Sequence, residues 1–358
     1  MKWSAWWRWL LWPLEILYRI FLRARTAAYD RGWLRRERLP GKVVSVGNLT
    51  VGGTGKTPMV IHLARWLRQR GLHVAVLTRG YGRREHQPLI INGLGQVSQY
   101  RSELMGDEAI LLARRLPEVT IGIGADRVAL GRRIVEMESP RPPEVFLLDD
   151  GFQHLRVARD LDLVLVDARN PFGNGAVLPA GPLREPRRAL ARADVIVLTR
   201  SQDSHDADLF EEVRRLNPSA AVFRASTRLV GVFEAATHRP ADLAALKPQA
   251  AMAFCGVGNP QAFSDDLRRW GFNLVGALAF PDHHRYGVGD FKLIIPRADR
   301  AGARLLLTTE KDMVNLTVVP PSLPPTFYCR IELVLEDEAA FFATVAERLQ
   351  VASPRIFS

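Results

Sequence analysis

Gly47-Asn-Leu-Thr-Val-Gly-Gly-Thr-Gly-Lys-Thr-Pro58 is the stretch of this sequence whose residue types and spacing most constrain chemistry. Gly52, Gly53 and Gly55 let the backbone turn tightly and bring its N–H groups close to a ligand, because no Cβ stands in the way. Lys56 and Thr57 add a cation and a hydroxyl where the turn runs into a helix. Such a loop cradles phosphate: backbone amides and the positive helix end face an anion, the lysine reaches its outer oxygens, and the hydroxyl can ligate Mg²⁺. Gly52, Gly53, Thr54, Gly55, Lys56 and Thr57 are therefore the candidate phosphate-binding set. The strict spacing G-x-x-x-x-G-K-[ST] is broken at its first glycine, where Thr50 stands. A glycine-rich turn without a ligand is the competing reading.

Four further clusters carry titratable groups. Residues 144–150 form an apolar run ending in Asp149 and Asp150, the form expected of a metal-positioning strand beside a phosphate loop; Asp150-Gly151 as a simple turn is the alternative. Asp107, in Gly106-Asp-Glu108, reads either as a helix N-cap or as a carboxylate near an acceptor hydroxyl. Phe280-Pro-Asp-His283-His-Arg-Tyr-Gly287 reads as a solvated loop, a metal site or an acid-orienting histidine. The Gly/Pro-rich segment from Asn170 ends in Arg184, which could neutralise phosphoryl charge, and Glu185, which could support a metal. Thr308-Thr-Glu-Lys311-Asp312 could touch a nucleotide base or form a surface ion pair.

The elements that must position these groups follow from hydrophobic pattern. Continuous apolar runs at 73–78, 119–123, 145–148, 161–166 and 195–199 indicate strands covered on both faces, with helices at 107–116 and 126–136. The expected fold is α/β, a P-loop NTPase-like parallel sheet with a second, smaller α/β domain and an N-terminal interfacial helix. In such sheets ligands bind beyond the carboxyl ends of the strands, where the 47–57 loop falls. A second set of strands and helices spans 250–254, 261–270, 274–280, 304–308 and 338–350, and breakers at 237–240 and 247–248 place the boundary near 225–245. The expected division is 1–38, an amphipathic helix at a membrane interface, 39–230, the P-loop domain, and 231–358, the second lobe.

The 358 residues carry a formal charge of +11, which points to an acidic partner. Residues 1–38 hold nine Lys/Arg against three acids, and five of the eight tryptophans lie in the first twelve residues. Tryptophan favours the headgroup zone and arginine can snorkel to lipid phosphates, so the segment reads as a helix lying in a membrane interface. Its longest uncharged stretch is too short to span a bilayer. Packing on the protein's own core, or stacking on single-stranded nucleic acid, would use the same residues. Cys255 and Cys329 have no metal-ligand spacing, which excludes a disulfide framework and a zinc signature.

Taken together, the motifs at 46–58, Thr78-Arg-Gly-Tyr-Gly-Arg83, Gly106-Asp-Glu108, Leu148-Asp-Asp-Gly-Phe-Gln-His154, Leu178-Pro-Ala-Gly-Pro-Leu-Arg-Glu185, Phe280-Pro-Asp-His283 and Thr308-Thr-Glu-Lys-Asp312 resemble the tetraacyldisaccharide 4′-kinase family. The resemblance implies ATP and Mg²⁺ as ligands and phosphorylation of the 4′-hydroxyl of an acylated disaccharide phospholipid at the cytoplasmic face of the bacterial inner membrane. It makes nucleic acid an unexpected partner and leaves oligomeric state open. It also implies roles: Lys56 and Thr57 for phosphate and Mg²⁺, Asp149 for the metal, Asp107 as catalytic base with His283 as its partner, and Arg184 for transferred charge. A nucleotide switch of the same fold, or a non-enzymatic membrane or nucleic-acid binder, would each explain part of the pattern.

Overall fold

The computed structural model of the chain describes residues 7–83, 87–93, 102–201, 206–316, 320 and 322–351. Trp3 and Trp6 lie outside the described residues. The chain opens with helix α1 (Trp7–Asp30), followed by β1 (Lys42–Asn48), α2 (Lys56–Gln69), β2 (Val74–Thr78) and β3 (Leu89–Ile91). Then come α3 (Asp107–Arg115), β4 (Thr120–Ile123), α4 (Arg127–Met137), β5 (Val145–Asp149), β6 (Leu161–Asp167), β7 (Val195–Thr199) and α5 (Ala207–Leu216). The second part holds β8 (Ala221–Glu234), β9 (Ala251–Cys255), α6 (Pro260–Arg269), β10 (Leu274–Ala279) and α7 (Val288–Arg300). It closes with β11 (Leu305–Thr309), α8 (Glu310–Asn315), β12 (Thr326–Leu335) and α9 (Glu338–Leu349).

All twelve strands join one sheet in the order β10-β9-β11-β12-β8-β7-β6-β1-β5-β2-β4-β3. Pairing is parallel except for β3 on β4 and β8 on β12. The expected parallel α/β sheet is thus present. Its cause is visible in β6 and β7, where every residue is buried and helices must cover both faces. On one face Val44 and Val46 pack with Met59 and Val60 of α2, Leu112 of α3 and Phe341 of α9. On the other, Leu77, Val128, Ile134 and Phe146 form a core under α4, and Val164, Ile196 and Val213 form one under α5.

Strand β8, 14 residues long, is far longer than the apolar runs of the sequence. Its first residues pair with β7, and the rest, from Ala225 to Glu234, pair antiparallel with β12, so one strand joins the two halves of the sheet. The expected boundary at 230/231 falls inside it. Beyond that boundary, α9 returns to the first half: Phe342 stacks on Trp66 of α2 with centroids 4.4 Å apart, and Phe341 meets Phe223 edge-on at 5.3 Å. Neither β12 nor α7 was expected from sequence; α7 runs through Pro296, a residue that ordinarily ends a helical pattern.

Phe341 is fully buried in the core beneath the phosphate-binding helix. Phe341→Ala should destabilise the protein by about 3–5 kcal/mol, the range for emptying a well-packed aromatic site. Urea unfolding would check this, and a change near zero would mean that α9 is not part of that core.

Candidate active site

Strand β1 lies between β5 and β6, so the loop that follows it emerges beside the acids that end β5. The loop enters α2 through Gly55, whose φ of 88° is the left-handed conformation that favours glycine. No side chain caps α2, and its first amides are open to the cleft. The rest of the loop is held from behind: Thr199 Oγ1 donates to Thr54 O at 3.1 Å and Arg200 Nη2 to Gly53 O at 3.0 Å. Gly258, in the turn between β9 and α6, seats directly on it; a Cβ there would lie 2.6 Å from the Gly53 nitrogen.

These residues line a cleft of about 1010 Å³ at the carboxyl ends of the strands, at the upper limit of the roughly 300–1,000 Å³ of single-ligand pockets. Gly52, Gly53, Thr54, Gly55, Lys56, Thr57, Asp150, Arg184 and His283 all border it. Lys56 Nζ lies 3.2 Å from Asn48 Oδ1 and 3.5 Å from Asp150 Oδ1, and Arg184 Nη1 donates to Asp150 Oδ2 at 2.6 Å. Asp150 has a φ of 54°, in the left-handed region, as a turn at Asp150-Gly151 would have it. Burial works against ionised Asp150, but Lys56 and Arg184 outweigh it and its carboxyl stays below the usual range.

Asp149 differs. It is 1% exposed, accepts from Thr78 Oγ1 at 3.2 Å, and keeps Oδ1 without a partner. Burial, with Glu108 and Asp150 adding negative potential, pushes its carboxyl up to about 7. A nearby cation would reverse that shift.

Glu185 was expected to support a metal, and here it pairs with protein. Its two oxygens accept from Arg192 Nη1 and Nη2 at 2.8 and 3.1 Å, and it is 3% exposed and does not line the cleft. The chain bends at Arg184 and Glu185, leaving Arg184 at the cleft beside Asp150 and Glu185 on the guanidinium of Arg192.

Across the cleft from the phosphate loop, His283 Nδ1 lies 2.9 Å from both oxygens of Asp107. Asp107 is the first residue of α3, and its N-cap is Gly106, so the N-cap reading is off by one position. Its carboxylate also accepts from Asn315 Nδ2 at 3.1 Å and from the Glu108 amide at 2.8 Å. Burial opposes ionisation of Asp107, yet the bond from His283 and the charge of Lys311 hold it below the ordinary carboxylate value. Burial likewise lowers His283, and Asp107 overcomes this to raise it above the ordinary imidazole value. Lys311 Nζ sits 3.4 Å from Glu108 Oε1, 3.3 Å from Asp282 Oδ1 and 3.4 Å from His283 Nε2. The 283 ring also packs on Tyr81 at 4.7 Å. His284, which the sequence left without a role, turns away to Asp290 and Phe280.

Several groups here escaped sequence reading. Asn315 has no motif around it. Arg127 sits in an ordinary helical pattern, yet it borders the cleft and is lowered to about 10, chiefly by burial. Tyr18, Phe21, Leu22 and Arg25 of α1 also line the cleft, a placement that neither the interfacial nor the core-packing reading of this segment named. The cysteines are buried and free.

A glycine-rich loop at the head of a doubly covered parallel sheet, with paired acids beside it and a carboxylate–histidine pair opposite, defines a P-loop phosphotransferase. The model of the tetraacyldisaccharide-1-P 4'-kinase family matches residues 7–350. A tetraacyldisaccharide 4'-kinase of Syntrophus aciditrophicus is 38% identical over 355 residues, covering 95% of this chain and 93% of that protein. Its counterpart in Geobacter sulfurreducens is 40% identical over 329 residues, covering 92% and 90%. The crystal structure of "apo" form LpxK from Aquifex aeolicus in complex with ATP matches with a TM-score of 0.73 at 30% identity, covering 96% of this chain and 99% of that one. This chain belongs to the tetraacyldisaccharide 4'-kinase family, as the motifs suggested, and is a kinase.

The Asp107–His283 pair fixes a pH dependence. His283 is raised above 6.5, so its share of the pair's stability is complete below pH 6.5 and lost as pH climbs through the raised value. Asp107 is lowered below 3.8, so its share is present above pH 3.8 and lost only in stronger acid. An NMR titration should place the 283 imidazole above 6.5 in the native protein and lower in Asp107→Asn, where burial and the Lys311 charge are opposed only by Asp282. Identical midpoints would mean that Asp107 does not control this histidine.

Proposed function

We propose that this chain transfers the γ-phosphate of ATP to the 4′-hydroxyl of a tetraacylated glucosamine disaccharide 1-phosphate. The observation that carries this reading is the Asp107–His283 pair facing the phosphate loop across one cleft, a proton acceptor opposite a nucleotide site. The amides of Gly52 to Thr57 and the Lys56 ammonium hold the β- and γ-phosphates, and Arg184 stabilises charge on the phosphoryl group in flight. The acceptor hydroxyl gives its proton to the cleft-facing edge of His283, and Asp107 stabilises the resulting imidazolium. This reverses the roles expected from sequence. Asp107 is 4% exposed and its oxygens are occupied by His283, Asn315 and the Glu108 amide, whereas His283 borders the cleft.

The residues present fit Mg²⁺. Asp149 Oδ1 is buried without a hydrogen-bond partner, and Thr57 borders the cleft nearby. Among the described residues no group of three or more His, Cys, Asp or Glu is gathered to hold an ion alone. That suits an ion held by one or two protein oxygens and completed by phosphate and water. Bound there, Mg²⁺ would neutralise charge on the β- and γ-phosphate oxygens. The lobes that form the cleft are, in this reading, residues 39–225 with α9, and residues 235–325, hinged on β8 and β12.

The same reading puts α1 in the interface of the inner membrane at its cytoplasmic face. Leu10, Leu14, Leu17 and Phe21 follow helical spacing and are 66%, 52%, 63% and 58% exposed. Among the described residues no helix is long and apolar enough to cross a membrane. An acceptor with four acyl chains stays in its bilayer at about 0.8 kcal/mol per buried CH₂, so the enzyme must work at the surface.

Transfer of labelled γ-phosphate from ATP to the acylated disaccharide in mixed micelles tests the reading. Lys56→Ala should fold normally and lose transfer by about 10²–10³-fold, the usual cost of one preorganised electrostatic group. Unchanged transfer would remove the loop from the mechanism. Separately, the intact protein should bind phosphatidylglycerol vesicles less tightly as salt rises, since exposed charges are screened beyond about 10 Å at 0.1 M. Flotation with no salt dependence, or none at all, would refute the interfacial placement.

A further inference from the structure

Helix α1 has a second side. Beside its exposed apolar face, three polar side chains reach the loops of the cleft. Glu15, 7% exposed, accepts from the Val177 amide at 3.2 Å. The Tyr18 hydroxyl donates to the Arg184 carbonyl at 3.1 Å, and Arg25 Nη2 donates to the Gln153 carbonyl at 2.6 Å. They fall at positions 15, 18 and 25, one stripe of the helix.

Both receiving residues are a single step from the phosphate loop. The Arg184 amide donates to Leu49 O at 2.7 Å, and its guanidinium holds Asp150. Gln153 Nε2 donates to Asn48 O at 2.9 Å, and Asn48 Oδ1 accepts from Lys56 at 3.2 Å. Two short hydrogen-bond chains therefore run from α1 to Asn48, Leu49, Lys56 and Asp150. The segment 170–186 contains no named strand or helix, so its conformation near Arg184 depends on such ties.

We propose that Tyr18 and Arg25 are positioning residues for phosphoryl transfer: through the Arg184 and Gln153 carbonyls they set the Arg184 guanidinium and the phosphate loop in register, making α1 a working wall of the active site as well as a surface-seeking helix. The proposal rests on the kinase reading for its activity measurement. A guanidinium displaced by a fraction of an ångström stabilises transferred charge poorly while still binding ligand. Loss of either bond should therefore appear in kcat.

The test uses the full-length protein with acceptor in mixed micelles, and compares Tyr18→Phe, Arg25→Ala, Arg25→Lys and Arg23→Ala. Arg23 is exposed on the same helix, so Arg23→Ala removes the same charge without touching the cleft. Tyr18→Phe and Arg25→Ala should each lower kcat about five- to ten-fold, the scale of one lost hydrogen bond, with acceptor KM and melting temperature unchanged. Arg25→Lys should recover most of the loss, and Arg23→Ala should keep wild-type kcat. Binding to phosphatidylglycerol vesicles should weaken less in Arg25→Ala, which removes a guanidinium turned to the Gln153 carbonyl, than in Arg23→Ala, which removes an exposed one. Equal activity losses in those two variants, unchanged kcat in Tyr18→Phe and Arg25→Ala, or losses that track melting temperature without rescue by lysine would each overturn the proposal. Absence of any transfer by the wild-type protein would instead count against the kinase reading. Hydrogen exchange over 148–155 and 170–186 would then decide the positioning claim: faster exchange in Tyr18→Phe and Arg25→Ala, but not in Arg23→Ala, supports it, and unchanged exchange overturns it.

Discussion

Carboxylates held where water is scarce need cations, and much of this molecule follows from that constraint. Asp107, Asp149 and Asp150 all lie at the carboxyl side of one sheet, the first two buried and the third half-buried, and burial opposes the charge on each. Asp150 is satisfied by Lys56 and Arg184, and Asp107 by His283 with Lys311 nearby. Among the described residues no cation is at ion-pair distance of Asp149, which is driven up to about 7. The difference separates a carboxylate already engaged with protein from one suited to receive an ion. Because the partners come from α2, the 170–186 segment and the 280–287 loop, the charge balance requires both halves of the chain to be folded together.

The sheet makes that meeting possible. With β1 between β5 and β6, the phosphate loop and the paired acids emerge side by side. Strand β8 then carries the sheet into the second half, where β12 runs antiparallel to it and β11, β9 and β10 follow β12, so their carboxyl ends face those of the first half. The turns after β9, β10 and β11 deliver Gly258 against the phosphate loop, and His283 and Lys311 against Asp107 and Glu108. Contact across the cleft combines these polar groups and a glycine with the Tyr81 ring on His283, and behind it Val314 of α8 joins the apolar core of α2 and α3.

Local pattern was enough to reveal the central strands, because a strand covered on both faces must be apolar throughout, as Leu161–Asp167 and Val195–Thr199 are. It also revealed the phosphate loop and the Asp149-Asp150 pair, since phosphate binding needs glycine, lysine and hydroxyl at fixed spacing in one stretch of chain. Tertiary structure decided what depends on direction and distance. Asp107 could have been a cap until His283, 176 residues away, was found at 2.9 Å, and nothing local marks Asn315 as a third partner. Glu185 sits beside Arg184 in sequence, but Arg184 holds Asp150 at the cleft while Glu185 is taken by Arg192, and only the fold says which of the two neighbours meets the cleft. The tryptophans and arginines of the first helix announced an interface without showing that Tyr18 and Arg25 look inward. A side chain's identity is local, whereas the group it meets depends on how the chain returns.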